Sequence, residues 1–304
     1  MLTRDADAFL GFARHCAADF GPATARAAFL VSPEGFQRAE QSARDNRYMA
    51  AAERFDADAA LAEHRQLHSA LAQDVPVIAF AGNPATPDAV FPNNVFATTP
   101  GQLIVGRMRH PVRQREAERP DIRRYFTDVM GYAERDLSGQ PHPCELTGSL
   151  VIDRARGLGF CGLSERCDEA GAALMHEAFG LRATLMFPLA PGEYHTNVLL
   201  AVLAGRAALI CPAGFADPRI PGVIAELYGD LAVSLNVNEQ AAFAGNAIAL
   251  SERRVWMSEA ASTALTAGHR RQLQEGAGFA VGCVPLAALE HGGGSLRCCV
   301  AEIF

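Results

Sequence analysis

Short apolar runs alternate with amphipathic stretches and turn residues along most of this chain, and that alternation predicts an α/β fold. After residue 22, "ARAAFLV" (25–31) and "VPVIAF" (75–80) are apolar and compact enough to be buried strands. Between them, 58–73 places Ala60, Leu61, His64, Leu67 and Leu71 on one face of a helix. Strand pairs are predicted at 94–99 with 102–108, 149–153 with 158–163, 197–203 with 206–211, and 244–250 with 253–258. Helices are predicted near 115–131, 166–180, 217–228 and 259–276, the last opened by Ser258 as an N-cap. The longest apolar stretch, "NVLLAVLAGRAALICPAGFA", is interrupted at Gly205 and Arg206. A membrane-spanning helix needs about 20 apolar residues, so this stretch reads as two buried strands around a turn. The apolar end of the chain, after three glycines in "GGGSLRCCVAEIF", reads as a final strand locked into a sheet.

A unit of hairpin, helix and strand returns every 50 to 60 residues without a residue-level repeat. Each unit alone leaves a sheet face uncovered. Packing several around a centre buries those faces and leaves a concavity there. No Gly/Ser linker or charge block marks a boundary, so one domain over 23–304 with an N-terminal helical extension over 1–22 is the economical reading.

Composition narrows the classes of partner. The 304 residues are 49% hydrophobic and 20% charged, enough apolar content for a large core. The net charge is −7, and the richest basic cluster, "GRMRHPVRQREAER", is interrupted by acids, which argues against nucleic acid. The start, "MLTRDADAFLGFARHCAADFG", has charges where a signal peptide has an apolar core, so a cytoplasmic location and no membrane contact are expected. Eight cysteines lie at 16, 144, 161, 167, 211, 283, 298 and 299 with no CxxC spacing. Buried free thiols are expected, and a paired zinc knuckle is not.

Four stretches set a reactive or polar group among apolar neighbours: "FPNNVF" (91–96), "CELTGSLVID" (144–153), "EYHTNVLL" (193–200) and "GGGSLRCC" (292–299). They offer Asn93, Asn94, Glu145, His195, Cys298 and Cys299. A thiol, an imidazole and a carboxylate are the kit for nucleophilic catalysis. Each also has a plain structural reading: a packed thiol, a satisfied core histidine, a turn glutamate, an ordinary Asn turn. Cysteine attacks as thiolate, a minority species at neutral pH for a pKa of about 8.5, so such a site must stabilise the anion.

Together and in this order, the stretches resemble the pentein superfamily of guanidino-group-modifying enzymes, most closely its citrulline-utilisation hydrolase branch. The resemblance runs from "SPEGF" (32–36) through "FPNN", "ELTGSLVID", "GLSER" (162–166), "YHTNV" (194–198), "AFAGN" (242–246) and "MSEAA" (257–261) to "GGGSLRC" (292–298). It implies a five-bladed α/β propeller with the active site at its axis. It also implies Cys298 as nucleophile, His195 as general acid and base, and Glu145 as the carboxylate binding substrate nitrogens beside the histidine. Cys299 is read as core packing. Asn94 falls where deiminases place an Asp, and Asn93 beside it is a second candidate for substrate binding. The chain departs from its branch at Val95, where Trp is expected, and at Leu146, where Gly usually follows the Glu; both changes bear on pocket shape.

The implied reaction is hydrolysis of a C–N bond in a ureido or guanidino amino acid, citrulline-like or arginine-like, through a thiouronium or S-carbamoyl enzyme. It calls for neither metal nor organic cofactor. Asn94 both donates and accepts, which favours a neutral ureido group mildly over a guanidinium. Arg107, Arg109, Arg113, Arg166 and Arg297 are candidates for the substrate carboxylate, with Arg113 and Arg166 preferred. Arg297 is set aside because a regular strand turns it away from Cys298. Alternatives are an amidinotransferase handing the group to an amine, and a non-catalytic pentein that binds a partner. A small-molecule substrate and a homodimer complete the expectation.

Overall fold

The computed structural model describes residues 1–52 and 54–304. Among the described residues the strands are divided among five small sheets, and four of them repeat one topology; Val77–Phe80, expected to be buried, is an edge strand with no fully buried residue. A first strand runs antiparallel to a second, and a third returns parallel to the second after a helical crossing. The sets are Phe96–Thr99, Gln102–Val105 and Ala133–Asp136; Leu150–Asp153, Leu158–Leu163 and Ala183–Pro188; and Leu200–Leu203, Ala207–Ile210 and Ala232–Ser234. The fourth joins the two ends of the chain: Ala301–Ile303 lies antiparallel to Ala27–Val31, which is parallel to Val77–Phe80. Local sequence forms the hairpins readily. Ala204 and Gly205 take φ of 47° and 65°, the paired positive values at the centre of a β-turn closed by Arg206 N–H on Leu203 O, within a three-residue connection between strands that fall inside the expected pair.

The fifth sheet departs from expectation. Arg254–Ser258 pairs in parallel with Ala280–Val284, but 244–250 forms no strand and meets it only at the Ile248–Trp256 bridge. The backbone there is engaged elsewhere, since Asn246 O accepts from Arg297 N–H. Two expected helices are also broken. Pro120 has no N–H and forces Arg119 out of helical conformation, so 115–131 divides there into short turns up to Glu118 and a helical stretch from Pro120 to Val129 whose second half is wider-wound. Leu265 is extended and Thr266 caps a new helix, Ala267–Arg271, inside the expected 259–276. Ser258 does cap its helix, accepting from Ala261 N–H.

The first 22 residues supply the helix Ala6–Ala13 and a short strand, Leu2–Thr3, parallel to Ala183–Pro188. Phe9 meets Phe160 edge-on at 5.7 Å, which ties this segment to the main core. No helix among the described residues is long and apolar enough to cross a membrane.

The first strand of each regular unit is preceded by one turn of helix: Pro92–Asn94, Leu146–Ser149, Thr196–Val198 and Leu296–Cys299. These turns touch one another, Leu146–Ser149 meeting both Pro92–Asn94 and Thr196–Val198, and Pro92–Asn94 meeting Leu296–Cys299. Cys298 therefore sits on a helical turn ahead of the final strand, not within it, and strand alternation does not decide where Arg297 points. The final strand still anchors the turn, because Ile303 is 1% exposed and pairs with Ala27. Ile303→Ala is expected to cost about 2–5 kcal/mol of stability, read as a lowered urea midpoint at unchanged slope; an unchanged midpoint would show that this strand does not hold the sheet.

Candidate active site

The contacting turns bring together side chains far apart in sequence. Glu145 has no exposed surface, and a buried carboxylate must be paired or protonated. It accepts from His195 Nε2 at 2.7 Å, from Arg109 N–H at 3.0 Å and from Arg166 Nη1 at 3.3 Å. Burial pushes its carboxyl up, but Arg166 and the His195 hydrogen bond outweigh that and bring it down to about 2. An ionised acceptor at Nε2 requires that nitrogen to carry the imidazole proton, so Nδ1 keeps the lone pair. Nδ1 is buried with no hydrogen-bond partner, and burial lowers the ring's pKa against the pull of Glu145. Tyr194 packs against the ring at a tilt of 46°, with centroids 4.5 Å apart.

Asn246 organises the Cys298 turn. Its Oδ1 accepts from Ser295 N–H and Cys298 N–H, each at 3.2 Å, and its Nδ2 donates to Cys298 Sγ at 3.2 Å. Sγ also lies 3.6 Å from Asn197 Oδ1. Burial raises the thiol's pKa, and the Asn246 hydrogen bond opposes the rise. Cys299 is buried in the neighbouring apolar cluster. The glycines permit close approach: a Cβ on Gly294 would come within 3.1 Å of Cys298 Sγ, and Gly293 has a φ of 80° with the Asn46 side chain against it. Leu146, where the family pattern has Gly, has a φ of 21°.

Cys298, Asn94, Asp88, Arg113, Arg166 and Tyr194 line a common cavity of about 10 Å³. Asn94 Oδ1 has no partner, and only a residue without a Cβ fits beside it: a Cβ on Gly148 would lie 2.4 Å from Asn94 Oδ1 and 3.0 Å from His195 Nδ1. Asn93 takes a different place from the one expected. Its Nδ2 donates to the carbonyls of Arg297 and Cys298, and its Oδ1 accepts from Asn197 Nδ2 at 3.2 Å. It holds the Cys298 turn from behind and does not line the cavity.

Both preferred arginines reach the cavity already paired. Arg113 forks onto Glu116 at 2.9 and 2.8 Å, and Arg166 onto Asp45 at 2.7 and 2.6 Å. Arg107 donates to Ser138 O, Arg109 pairs with Glu165 at 3.5 Å, and Arg297 pairs with Glu302 at 3.0 Å, none of them lining this cavity. Sequence reasoning missed Asp88 and Asp45. Asp88 is 2% exposed, accepts from Ser42 Oγ, and has Oδ1 without a partner; burial raises its pKa against the pull of Arg113. Asp45, also bonded to His110 Nε2 at 3.1 Å, is held well below the usual carboxylate range by His110 and Arg166 despite its burial. Among the described residues, no group of three or more His, Cys, Asp or Glu is placed to hold a metal ion.

Repeated units of hairpin, helix and parallel strand, with a thiol and a carboxylate-bound imidazole at their contacting turns, are in keeping with the pentein guanidino-modifying enzymes, and the family comparison agrees. The family model of eukaryotic N,N dimethylarginine dimethylhydrolase matches residues 32–304, and the chain belongs to that family. Among solved structures, the N-terminal domain of a substrate-bound mutant of ArgZ, an arginine dihydrolase from the ornithine–ammonia cycle in cyanobacteria, aligns with a TM-score of 0.79 at 19% identity. That alignment covers 91% of this chain and 97% of that one. Unliganded AgrE aligns at 0.77 and 20% identity, over 91% of this chain and 39% of that one. A dimethylarginine dimethylaminohydrolase adduct with 4-chloro-2-hydroxymethylpyridine aligns at 0.69 and 19% identity, over 92% and 100%. At such identities the likeness is one of fold. No curated protein matches the chain by sequence.

The buried imidazole has a consequence for stability. Its native pKa is depressed, so below the free value of about 6.5 the unfolded chain binds more protons than the native one. Stability from keeping His195 neutral is therefore full above that pH and lost as pH falls below it. Glu145 acts further down, between about 4.3 for a free carboxyl and about 2. Urea midpoints from pH 7.5 to 5.5 are expected to fall more steeply for the wild type than for His195→Gln; parallel profiles would rule this out.

Proposed function

We propose that this chain is a cysteine-dependent hydrolase of guanidino C–N bonds in an arginine-like amino acid, with Cys298 as nucleophile and His195 as general acid and base. The observation that carries the reading is His195 itself: a buried imidazole with Nε2 bound to Glu145 and Nδ1 unpartnered beside Asn94. That is an oriented base with its lone pair free for proton transfer. Family membership supports the same chemistry, and the five sheets with their contacting turns support the five-bladed propeller as its scaffold. Free cysteines throughout the described chain are in keeping with a cytoplasmic location.

The reaction follows from the charges. A guanidinium entering beside Sγ favours the thiolate that burial alone disfavours. His195 Nδ1 takes the Sγ proton, the thiolate adds to the central carbon, and the protonated ring returns that proton to the departing nitrogen, which leaves as ammonia or an amine and leaves a thiouronium enzyme. His195 Nδ1 then takes a proton from water, the hydroxide adds to the same carbon, and the thiolate departs, leaving a ureido product. Asp88 Oδ1 suits the substrate ammonium, and Arg113 and Arg166 suit its carboxylate. Asp45 occupies the Arg166 fork, and a cavity of about 10 Å³ holds roughly one water. Substrate entry in this reading displaces the segment carrying Ser42, Asp45, Asn46 and Met49.

A second reading rests on Asn94. Its neutral amide accommodates a ureido carbonyl as well as a guanidinium, so the first product can react again through an S-carbamoyl enzyme to ornithine. Ammonia and ornithine yields from arginine separate one hydrolysis from two.

With arginine or a methylated arginine, Cys298→Ala is expected to lose turnover by at least about 10³-fold, and the quenched wild type to show by intact mass a thiouronium adduct that retains the substrate's amino-acid chain. Unchanged turnover in the folded variant would sink the assignment. Gly148→Ala, which wedges a methyl group against Asn94 and His195, is expected to cut kcat by about 100-fold with a near-native circular dichroism spectrum. Activity close to wild type would show that those two side chains need not hold their positions.

A further inference from the structure

A second cavity lies across a hydrogen-bonded layer from Cys298. Thr147 Oγ1 donates to Asn93 O at 3.1 Å and Asn197 Nδ2 donates to Asn93 Oδ1 at 3.2 Å, and both Thr147 and Asn197 line this cavity. It shares no lining residue with the Cys298 cavity. Its volume of about 40 Å³ compares with about 10–15 Å³ for one water by the same kind of measure, so it has room for a small polyatomic ion.

Its charged lining is Arg154, Arg297 and Glu302, two cations and one anion. Arg297 is engaged, donating to Glu302 at 3.0 Å and to Val300 O at 2.7 Å. Arg154 is not matched in this way. Its guanidinium lies over the Phe304 ring at 4.2 Å and the Phe179 ring at 5.1 Å, which satisfies its faces. In its plane it has five N–H donors, and its hydrogen bond among the described residues is to Thr98 O at 3.2 Å. Burial pushes its pKa down to about 10, with Glu302 opposing and Arg297 adding to the fall. A half-buried guanidinium with spare in-plane donors, facing a polar cavity of net positive charge, is the pattern of an anion site.

We propose that this cavity binds a small, planar, singly charged oxyanion of the carboxylate or bicarbonate type, held edge-on by Arg154 with Arg297 beside it. One negative charge balances the one that the two arginines and Glu302 leave over, and a planar oxyanion matches the fork of a guanidinium. The site is separate from the proposed reaction, and its test does not use activity.

Nitrate is the probe. Thermal midpoints of the full chain are measured as nitrate replaces fluoride at constant ionic strength, for the wild type, Arg154→Met, Arg297→Met and Glu302→Gln. The wild-type midpoint is expected to rise with the logarithm of nitrate, as linkage to one site requires. Arg154→Met and Arg297→Met lose most of that rise, and Glu302→Gln reaches the same rise at about threefold less nitrate or lower, because an opposing charge has gone. A nitrate-soaked crystal is expected to show the ion against Arg154. Equal nitrate dependence in the wild type and the folded arginine variants overturns the proposal, as does a flat wild-type response. Should Arg154→Met not fold, a Glu302→Gln response no stronger than wild type overturns it equally.

Discussion

A carboxylate with no access to water must be paired, and the pairing of Glu145 constrains nearly everything around it. Its partners come from three stretches: the backbone at Arg109, the guanidinium of Arg166 and the imidazole of His195. Arg166 extends the chain of charge to Asp45 and to the Ser42 carbonyl, so the segment above the cavity is tied to the same group. Breaking one partner of such a buried cluster typically costs about 3–5 kcal/mol. The same constraint fixes the imidazole tautomer, since only a proton on Nε2 answers an ionised Glu145. The lone pair at Nδ1 is thus a product of the fold's electrostatics.

A second constraint is met by asparagines. Asn93, Asn197 and Asn246 each lie on or next to one of the contacting turns, and each uses both ends of its amide on another turn. An amide donates and accepts at once, so it bridges turns whose backbone groups have no sheet partners. Asn246 alone joins Ser295 N–H, Cys298 N–H, Cys298 Sγ and the Asn197 carbonyl. The Cys298 turn is therefore held by neighbours on both sides, while Ala301–Ile303 anchors it to Ala27–Val31.

These two kinds of constraint explain what was legible in the sequence. Apolar alternation located the hairpins at 150–163 and 200–210, because strand pairing there is local and the turn is set by Ala204 and Gly205. The motifs named Cys298, His195, Glu145 and Asn94, and the fold brings Cys298 and Asn94 to one cavity with the Glu145–His195 pair beside it. Periodicity failed where distant groups decide local structure. Residues 244–250 look like a strand, yet their backbone serves the Cys298 turn. Asn93 and Asn94 are adjacent and alike, and only the folded turn sends one toward the Cys298 carbonyl and leaves the other at the cavity. Asp88 and Asp45 carry no local signal, because a carboxylate with one oxygen left without a partner and a carboxylate locked to Arg166 read identically in a sequence.

The charge distribution gives the two sides of the asparagine layer opposite character. On the Cys298 side, the carboxyls of Asp45, Asp88, Glu116 and Glu145 outnumber Arg113 and Arg166, but burial pushes Asp88 up and Glu116 up to about 7, so that side gains its negative charge most fully when a cation enters. Across the layer, Arg154 and Arg297 outnumber Glu302. A cation on the first side stabilises a thiolate at Cys298, whereas the resting thiol is kept protonated by burial. In the proposed reaction Cys298 therefore becomes an anion chiefly when a guanidinium is beside it, which keeps a buried thiol unreactive toward water-borne electrophiles until then. That dependence follows from burying Cys298 and Glu145 completely, and it would disappear in a site that left either one in contact with solvent.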